Sequence, residues 1–313
     1  MSRQMISSFV EGEKIQTSLL ITQMNRGITN SGAPYLSFVL QDQSGSIDAK
    51  LWDAKDELLS GVEAGKVVLV SAEVLKYRNA LQLRIYSLAK LEDNQFNPAD
   101  YVMATDLSLE FMQKRIGETL LSLQDVVYRD VCTSIIEDLQ EKLYSYPAAA
   151  KNHHDFVGGL ATHMISMLDL GEAFCSLYPM LNRDLLLAGI LLHDLGKIDE
   201  LSGPILTEYT VEGKLVGHIS IMQSKVSEKA KALGYQGSEQ VTLMRHMILS
   251  HHGEYEFGSP VLPMVMEAEM LTFIDNVDAR MNMFAKALES VKPGEWTPRI
   301  FPLENRSFYK PKE

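Results

Sequence analysis

The run Asn182–Lys197, NRDLLLAGILLHDLGK, decides how the second half of this chain is read. Asn182 is a good helix N-cap, and the body that follows, DLLLAGILL, has no polar face beyond Asp184. A helix that is apolar all round is buried. This one nevertheless finishes in an adjacent imidazole and carboxylate, His193-Asp194, followed by Leu195-Gly196-Lys197. Uncompensated charge in a core is strongly unfavourable, and a bound metal ion would compensate it. The plain alternative is a capped helix with a solvated His-Asp pair. Gly196 suits a C-terminal cap of positive φ, with Lys197 emerging near the same point.

Outward from this run, the pattern from about Leu107 to the 280s is helical, with apolar residues three and four apart. Leu120, Leu123, Val127, Val131, Ile135 and Leu139 read as one stretch that Pro147 ends, and a second helical run begins near Gly159. There Leu160, His163, Met167, Leu170 and Phe174 share a face, so His163 points where a core residue should. His218 follows Gly217, and His251-His252-Gly253 closes a helix over Gln240–Ser250. In MEAEMLTFIDNVDARM (266–281), Asp275 and Asp278 fall three apart on one helical face.

All eight histidines lie in this half. Imidazole and carboxylate donors with no thiolate set suit Mn²⁺, Fe, Co²⁺ or Zn²⁺. Six or seven such ligands exceed the needs of one ion. They suit a two-metal site in which one carboxylate bridges the ions and both clamp an in-line displacement at phosphorus. Outside that set, His246 reads as a surface or packing residue, and His153 and His154 as a loop that is either solvated or reaches substrate. Asp278 is either a partner behind a ligand or half of an ion pair with Arg280.

The first half has a different period. Strands are expected over 14–24, 35–40, 46–52, 66–75 and 80–88, with a short helix over 54–60 and turns at Ser44-Gly45 and Arg78-Asn79. Five strands with a helix between the third and fourth is the order of an OB barrel. The phrase YLSFVLQDQSGSIDAKLWD (35–53) resembles OB-fold anticodon-binding-type domains. A generic small barrel serving as a structural cap is the alternative. OB folds hold single strands by stacking bases on aromatics beside basic groups. The candidates here are Tyr35, Trp52, Tyr77, Arg78 and Arg84, whereas alternation places Phe38 in the core.

The bulk numbers permit this division. The chain has 313 residues, enough for two cores, with 46 % hydrophobic and 22 % charged residues. The longest apolar run, Leu185–Leu192, is far shorter than the ~18 residues of a membrane span. The first residues lack a long apolar segment of the secretory kind, and two distant cysteines, Cys132 and Cys175, imply a reducing, cytoplasmic home. The net charge of −12 argues against a general nucleic-acid binder. Residues 1–95, however, carry 10 Lys/Arg against 11 Asp/Glu, so the excess lies in the second half, where divalent cations would reverse the local sign.

His163, the doublet His193-Asp194 and the distant Asp275 resemble the H…HD…D signature of the HD-domain superfamily of metal-dependent phosphohydrolases. The expected fold is thus α+β and multidomain, a five-stranded OB barrel followed by an all-α HD-domain bundle. The expected boundaries are 1–95 for the barrel, 96–150 for a helical linker, 151–290 for the HD domain and 291–313 for an irregular tail that packs on the body or gates a site. The resemblance implies a first ion on His163, His193, Asp194 and Asp275. Asp194 would bridge to a second ion held by His218 and by one or both of His251 and His252, and Lys197 would contact phosphate. Water activated by the metal would then be the nucleophile.

With its barrel in front and the tail FPLENRSFYKP (301–311) behind, the whole chain resembles the YhaM family of bacterial 3′–5′ exoribonucleases. That resemblance implies a Mn²⁺- or Co²⁺-dependent enzyme trimming single-stranded RNA, with single-stranded DNA as a further substrate. It involves no membrane and leaves a homo-oligomer open. Two other readings stand beside it. One is a nucleotide phosphohydrolase or cyclic-dinucleotide phosphodiesterase with a regulatory barrel, although HHGEYEFGSP (251–260) departs from the Gly-Tyr-Pro turn of the cyclic-dinucleotide group. The other is a non-catalytic single-strand-binding protein.

Overall fold

The computed structural model describes residues 4–29, 32–52, 62–77, 80–92, 95–96, 100–102, 104–149, 156–203, 207–289 and 291–312. The chain divides into two compact units, Met1–Ala104 and Thr105–Glu313.

The first unit is a closed barrel in the order β1-β2-β3-β5-β4, with β1 Lys14–Ile28, β2 Pro34–Asp42, β3 Gly45–Trp52, β4 Val67–Tyr77 and β5 Ala80–Lys90. β1, β2, β4 and β5 run past their expected ends, and β3 starts one residue early. The pairing explains the extra length of β1: its first half pairs with β4 (Lys14↔Glu73 to Leu20↔Val67) and its second with β2 (Leu20↔Gln41 to Ile28↔Pro34). A register shift between Ile21 and Gln23 bends the strand from one neighbour to the other. Parallel pairing of β3 with β5 completes the closure. Alternation sends Leu19, Ile21, Leu36, Phe38, Leu40, Val70, Val74 and Leu83 inward. The helix expected over 54–60 and the turn at Arg78-Asn79 lie outside the described residues.

The second unit is helical: α1 Leu109–Ser122, α2 Val126–Leu143, α3 Gly159–Leu177, α4 Arg183–Leu192, α5 Lys197–Glu200, α6 Val211–Leu215, α7 Gly217–Ala232, α8 Glu239–Ser250 and α9 Met266–Glu289. The stretch from Leu120 to Leu139, expected as continuous, is broken at 123–125 into α1 and α2. The Asp125 carboxylate accepts from the Val127 and Tyr128 N–H groups, an N-cap that starts a new helix without interrupting the buried stripe. Both helices, within the stretch expected to link domains, pack in the same core as α3, α4, α8 and α9. Helix α4 is the hub: Asn182 caps it, every residue from Leu185 to Leu192 is buried, and α2, α3, α8 and α9 surround it.

The tail is more ordered than expected. Residues 294–310 form an antiparallel ribbon with bridges Trp296↔Tyr309 and Ile300↔Arg306. Among the described residues, no helix is long and apolar enough to cross a membrane.

Candidate metal centre and nucleic-acid face

Helix ends position the histidines. The last carbonyls of a helix have no partner within it. His193, just past α4, places Nδ1 2.9 Å from the Ile190 carbonyl, and His251, just past α8, places Nδ1 2.8 Å from that of Ile248. His252 repeats the device on the Phe257 carbonyl at 2.6 Å. A carbonyl only accepts, so each of these rings carries its proton on Nδ1 and presents a bare Nε2. His163 of α3 and His218 of α7 use carboxylates for the same purpose: Nδ1 to Asp278 Oδ2 at 2.6 Å and Nδ1 to Glu200 Oε1 at 3.1 Å. Glu200 also accepts from the His218 backbone N–H, and Ser166 donates to the second oxygen of Asp278.

Asp194 lies at the middle of the cluster. Its Oδ2 faces His193 Nε2 at 3.4 Å and His163 Nε2 at 3.8 Å, while its Oδ1 faces His218 Nε2 at 3.5 Å and His251 Nε2 at 3.8 Å. Asp275 Oδ1 stands 3.2 Å from His163 Nε2 on the more open side. Ligand atoms thus gather into two groups, His163/His193/Asp275 and His218/His251/His252, each with its atoms within 4.8 Å of one another. The Nε2 atoms of His193, His218 and His251 and the Oδ1 of Asp194 are buried with no hydrogen-bond partner. Buried polar atoms left bare are costly, and cations held at the two groups would satisfy all four. The donor set therefore fits divalent metal, and Asp194 is placed to touch both groups.

Charge follows the same geometry. Burial opposes ionisation of Asp194, yet the Lys197 ammonium 2.6 Å away, then His193 and His218, hold its carboxyl well below the ordinary range. The same contact keeps Lys197 protonated against burial. Burial, then the neighbouring His252 and His193 rings, pushes His251 well below its ordinary value. Burial acts on His163 in the same direction, but its bonds to Asp275 and Asp278 and the charges of Asp275 and Asp194 lift it to about 9.

Gly196 requires a correction. Its φ is −61°, right-handed rather than positive. A side chain there would overlap the His218 backbone carbonyl, so the glycine permits the close approach of α7 that brings His218 to Asp194.

Asp278 lies behind His163, and Arg280 pairs with Glu304 instead. His246 accepts from the Met264 N–H, a packing role. His153 and His154 lie outside the described residues. Glu200 was missed because its link to His218 crosses a turn that leaves no periodic signal.

On the barrel, Tyr35 and Trp52 are cross-strand partners with ring centroids 5.2 Å apart, and Trp52 is 44 % exposed. Gly27 of β1 is the register partner of Tyr35 on β2, and a side chain there would strike the ring. Lys50, two residues before Trp52 on the same face, sets its ammonium 5.5 Å and 5.3 Å from the two rings, a cation missed in the sequence. Arg84 is the register partner of Lys50 but is already paired with Glu73, which also accepts from the Tyr86 hydroxyl. Tyr77 is exposed at the end of β4, and Arg78 lies outside the described residues.

Residues 160–280 match the HD domain family and residues 20–91 the OB-fold nucleic acid binding domain family. The chain is 47 % identical over 301 residues to a 3′-5′ exoribonuclease YhaM of Geobacillus sp. (strain WCH70), covering 96 % of this chain and 93 % of that protein. It is 46 % identical over 307 residues to the protein of the same name from Bacillus pumilus (strain SAFR-032), covering 98 % of each. Among solved structures, the second OB-fold domain of replication protein A from Methanococcus maripaludis aligns with 29 % of this chain and 96 % of that chain, at 19 % identity and a TM-score of 0.25.

Proposed function

The chain belongs to the YhaM family of 3′-5′ exoribonucleases, and from that premise we propose that it trims single-stranded RNA from the 3′ end by divalent-metal-dependent hydrolysis. Single-stranded DNA is the further substrate of the same chemistry. The observation that carries the catalytic part is the position of Asp194, one oxygen toward His163 and His193 and the other toward His218 and His251.

We assign His163, His193, Asp194 and Asp275 to one ion and His218, His251, His252 and Asp194 to a second. The nitrogen and oxygen donors serve Mn²⁺ or Co²⁺ first, with Fe and Zn²⁺ as alternatives. Such ions supply Lewis acidity at the phosphoryl oxygens and an ionisable water. The chain's own residues do the rest. The Nδ1 bonds of the five histidines fix ring orientation, so the ligand atoms need no rearrangement. Lys197, beside Asp194, holds a positive charge for a phosphate oxygen as negative charge builds there. Asp275, the more open of the carboxylates, marks the side from which a phosphodiester enters.

Tyr35 and Trp52 offer a stacking surface for unpaired bases, and Lys50 beside them offers a charge for the backbone. Arg84, neutralised by Glu73, contributes less to phosphate contact than Lys50 does. Cys132 and Cys175 are both free, which accords with a reducing cytoplasm.

The test is a time course on 5′-labelled single-stranded RNA with Mn²⁺, run beside Asp194→Ala. A ladder shortening from the 3′ end, absent in the variant, is expected; a strand left intact by the wild-type protein would overturn the proposal.

A further inference from the structure

The chain has two tryptophans, and both are in the open: Trp52 is 44 % exposed and Trp296 is 65 % exposed. Each faces a tyrosine across an antiparallel pairing. Trp52 lies 5.2 Å from Tyr35 on the barrel, and Trp296 lies 5.4 Å from Tyr309 on the C-terminal ribbon. The first pair is the stacking surface assigned above. The second repeats its arrangement in the unit that carries the metal cluster.

The ribbon is held as a platform. Its inner side is anchored to α9: Phe308 packs edge-on against Phe284 at 4.5 Å, and Leu303 is fully buried. Arg280 grips Glu304 through two bonds of 2.7 and 3.1 Å. Lys310 reaches the end of α9, donating to the Leu288 and Val291 carbonyls at 2.8 and 2.9 Å. With these contacts turned inward, Trp296 and Tyr309 are left on the outside, 65 % and 41 % exposed. Phe301, at 86 %, is more open still.

Charge favours a polyanion. In a chain of net charge −12, residues 291–313 carry five Lys/Arg against three Asp/Glu. One of the three, Glu304, is already engaged by Arg280 and Arg306. Lys292, Arg299 and Lys312 are exposed, and the Lys312 side chain lies against Gly294, two residues from Trp296. Exposed aromatics among cations are the features that hold single-stranded nucleic acid without sequence preference. An apolar partner protein would favour a patch without this excess of charge.

We infer that the C-terminal ribbon is a second base-stacking platform, with Trp296 and Tyr309 holding unpaired bases of the substrate strand and Lys292, Arg299 and Lys312 its backbone. The inference rests on the exoribonuclease reading. The ribbon's anchors lie on α9, the helix that supplies Asp275 and Asp278, and Leu288 is about 20 Å along that helix from Asp275. A strand long enough to reach from the cluster to the ribbon gains this contact, and a shorter one does not.

The test uses two full-length single-tryptophan proteins, Trp52→Phe and Trp296→Phe, with Mn²⁺ and a phosphorothioate-linked oligouridylate that resists hydrolysis. Quenching of Trp296 emission is expected, saturating over the same range as that of Trp52. Trp296→Ala with Tyr309→Ala should weaken binding of long strands about tenfold or more, and Trp296→Tyr should restore most of it. Quenching of Trp52 with Trp296 unmoved would overturn the platform and leave the exoribonuclease reading intact. Absence of any binding would overturn both. Emission of Trp296 that responds to protein concentration but not to the oligonucleotide would overturn the platform and mark the ribbon as a contact between copies of the chain.

Discussion

His163 Nδ1 and Asp278 Oδ2 lie 2.6 Å apart, and this bond turns the far side of the ring toward Asp275 and Asp194. Removing the carboxylate frees the ring to rotate and lowers its basicity. Asp278→Ala should therefore raise the Mn²⁺ concentration needed for half-maximal activity about 10- to 100-fold. A metal titration that leaves this concentration unchanged would reduce the pair to packing.

Asp194 is placed to serve both ligand groups, whereas His252 belongs to one. Elemental analysis after loading with Mn²⁺ should show Asp194→Ala depleted at both positions and His252→Ala at one. Equal depletion in the two variants would mean that the groups do not bind separately.

His163 is lifted to about 9 in the metal-free chain, chiefly by Asp275 and Asp278 acting against burial. Binding metal requires the neutral ring, so below that value a proton must leave as metal enters. Apparent affinity should climb with pH and level off near 9. The sign for stability is opposite: a raised value stabilises the metal-free protein most below the ordinary 6.5, and the gain is lost as pH rises through about 9. Calorimetry in buffers of different ionisation enthalpy reads the released proton directly, and uptake without release would contradict the assignment.

Gly196→Ala places a methyl against the His218 carbonyl. Overpacking of this kind destabilises by about 1–3 kcal/mol. It should also move His218 off Asp194, so thermal stability and Mn²⁺ binding fall together. A variant with wild-type melting and metal content would show that the close approach is not needed.

On the barrel, Trp52→Ala should weaken single-stranded RNA binding by about 1–3 kcal/mol. Lys50→Ala should reduce the slope of log affinity against log salt by about 0.7, the value for one lost phosphate contact on a single strand. Arg84→Ala should change that slope less, since Glu73 already neutralises it. Filter binding across a salt series separates the three, and a larger slope change from Arg84 than from Lys50 would reverse the assignment.

Local rules made much of this molecule legible. Strand alternation marked the barrel, and apolar spacing marked the helices around an HD doublet at the end of a buried one. Of the residues that gather at the cluster, His163, His193 and Asp194 stood out because imidazole and carboxylate in a core need a partner, and resemblance to the HD superfamily joined His218, His251, His252 and Asp275 to them. Periodicity, capping and side-chain chemistry are properties of neighbouring residues, and the sequence by itself determined them.

Partner choice was decided by the tertiary structure. Asp278 had two candidate roles, and it lies behind His163, 115 residues away, while Arg280 pairs with Glu304. Gly196 was read as a C-terminal cap of positive φ, when its lack of a side chain serves the arrival of α7. Arg84 looked free for phosphate until β4 set Glu73 beside it, and the tail looked irregular until α9 gave it a surface to fold upon. Hydrogen bonds and ion pairs act over a few ångströms, so packing alone settles which distant groups come within that range.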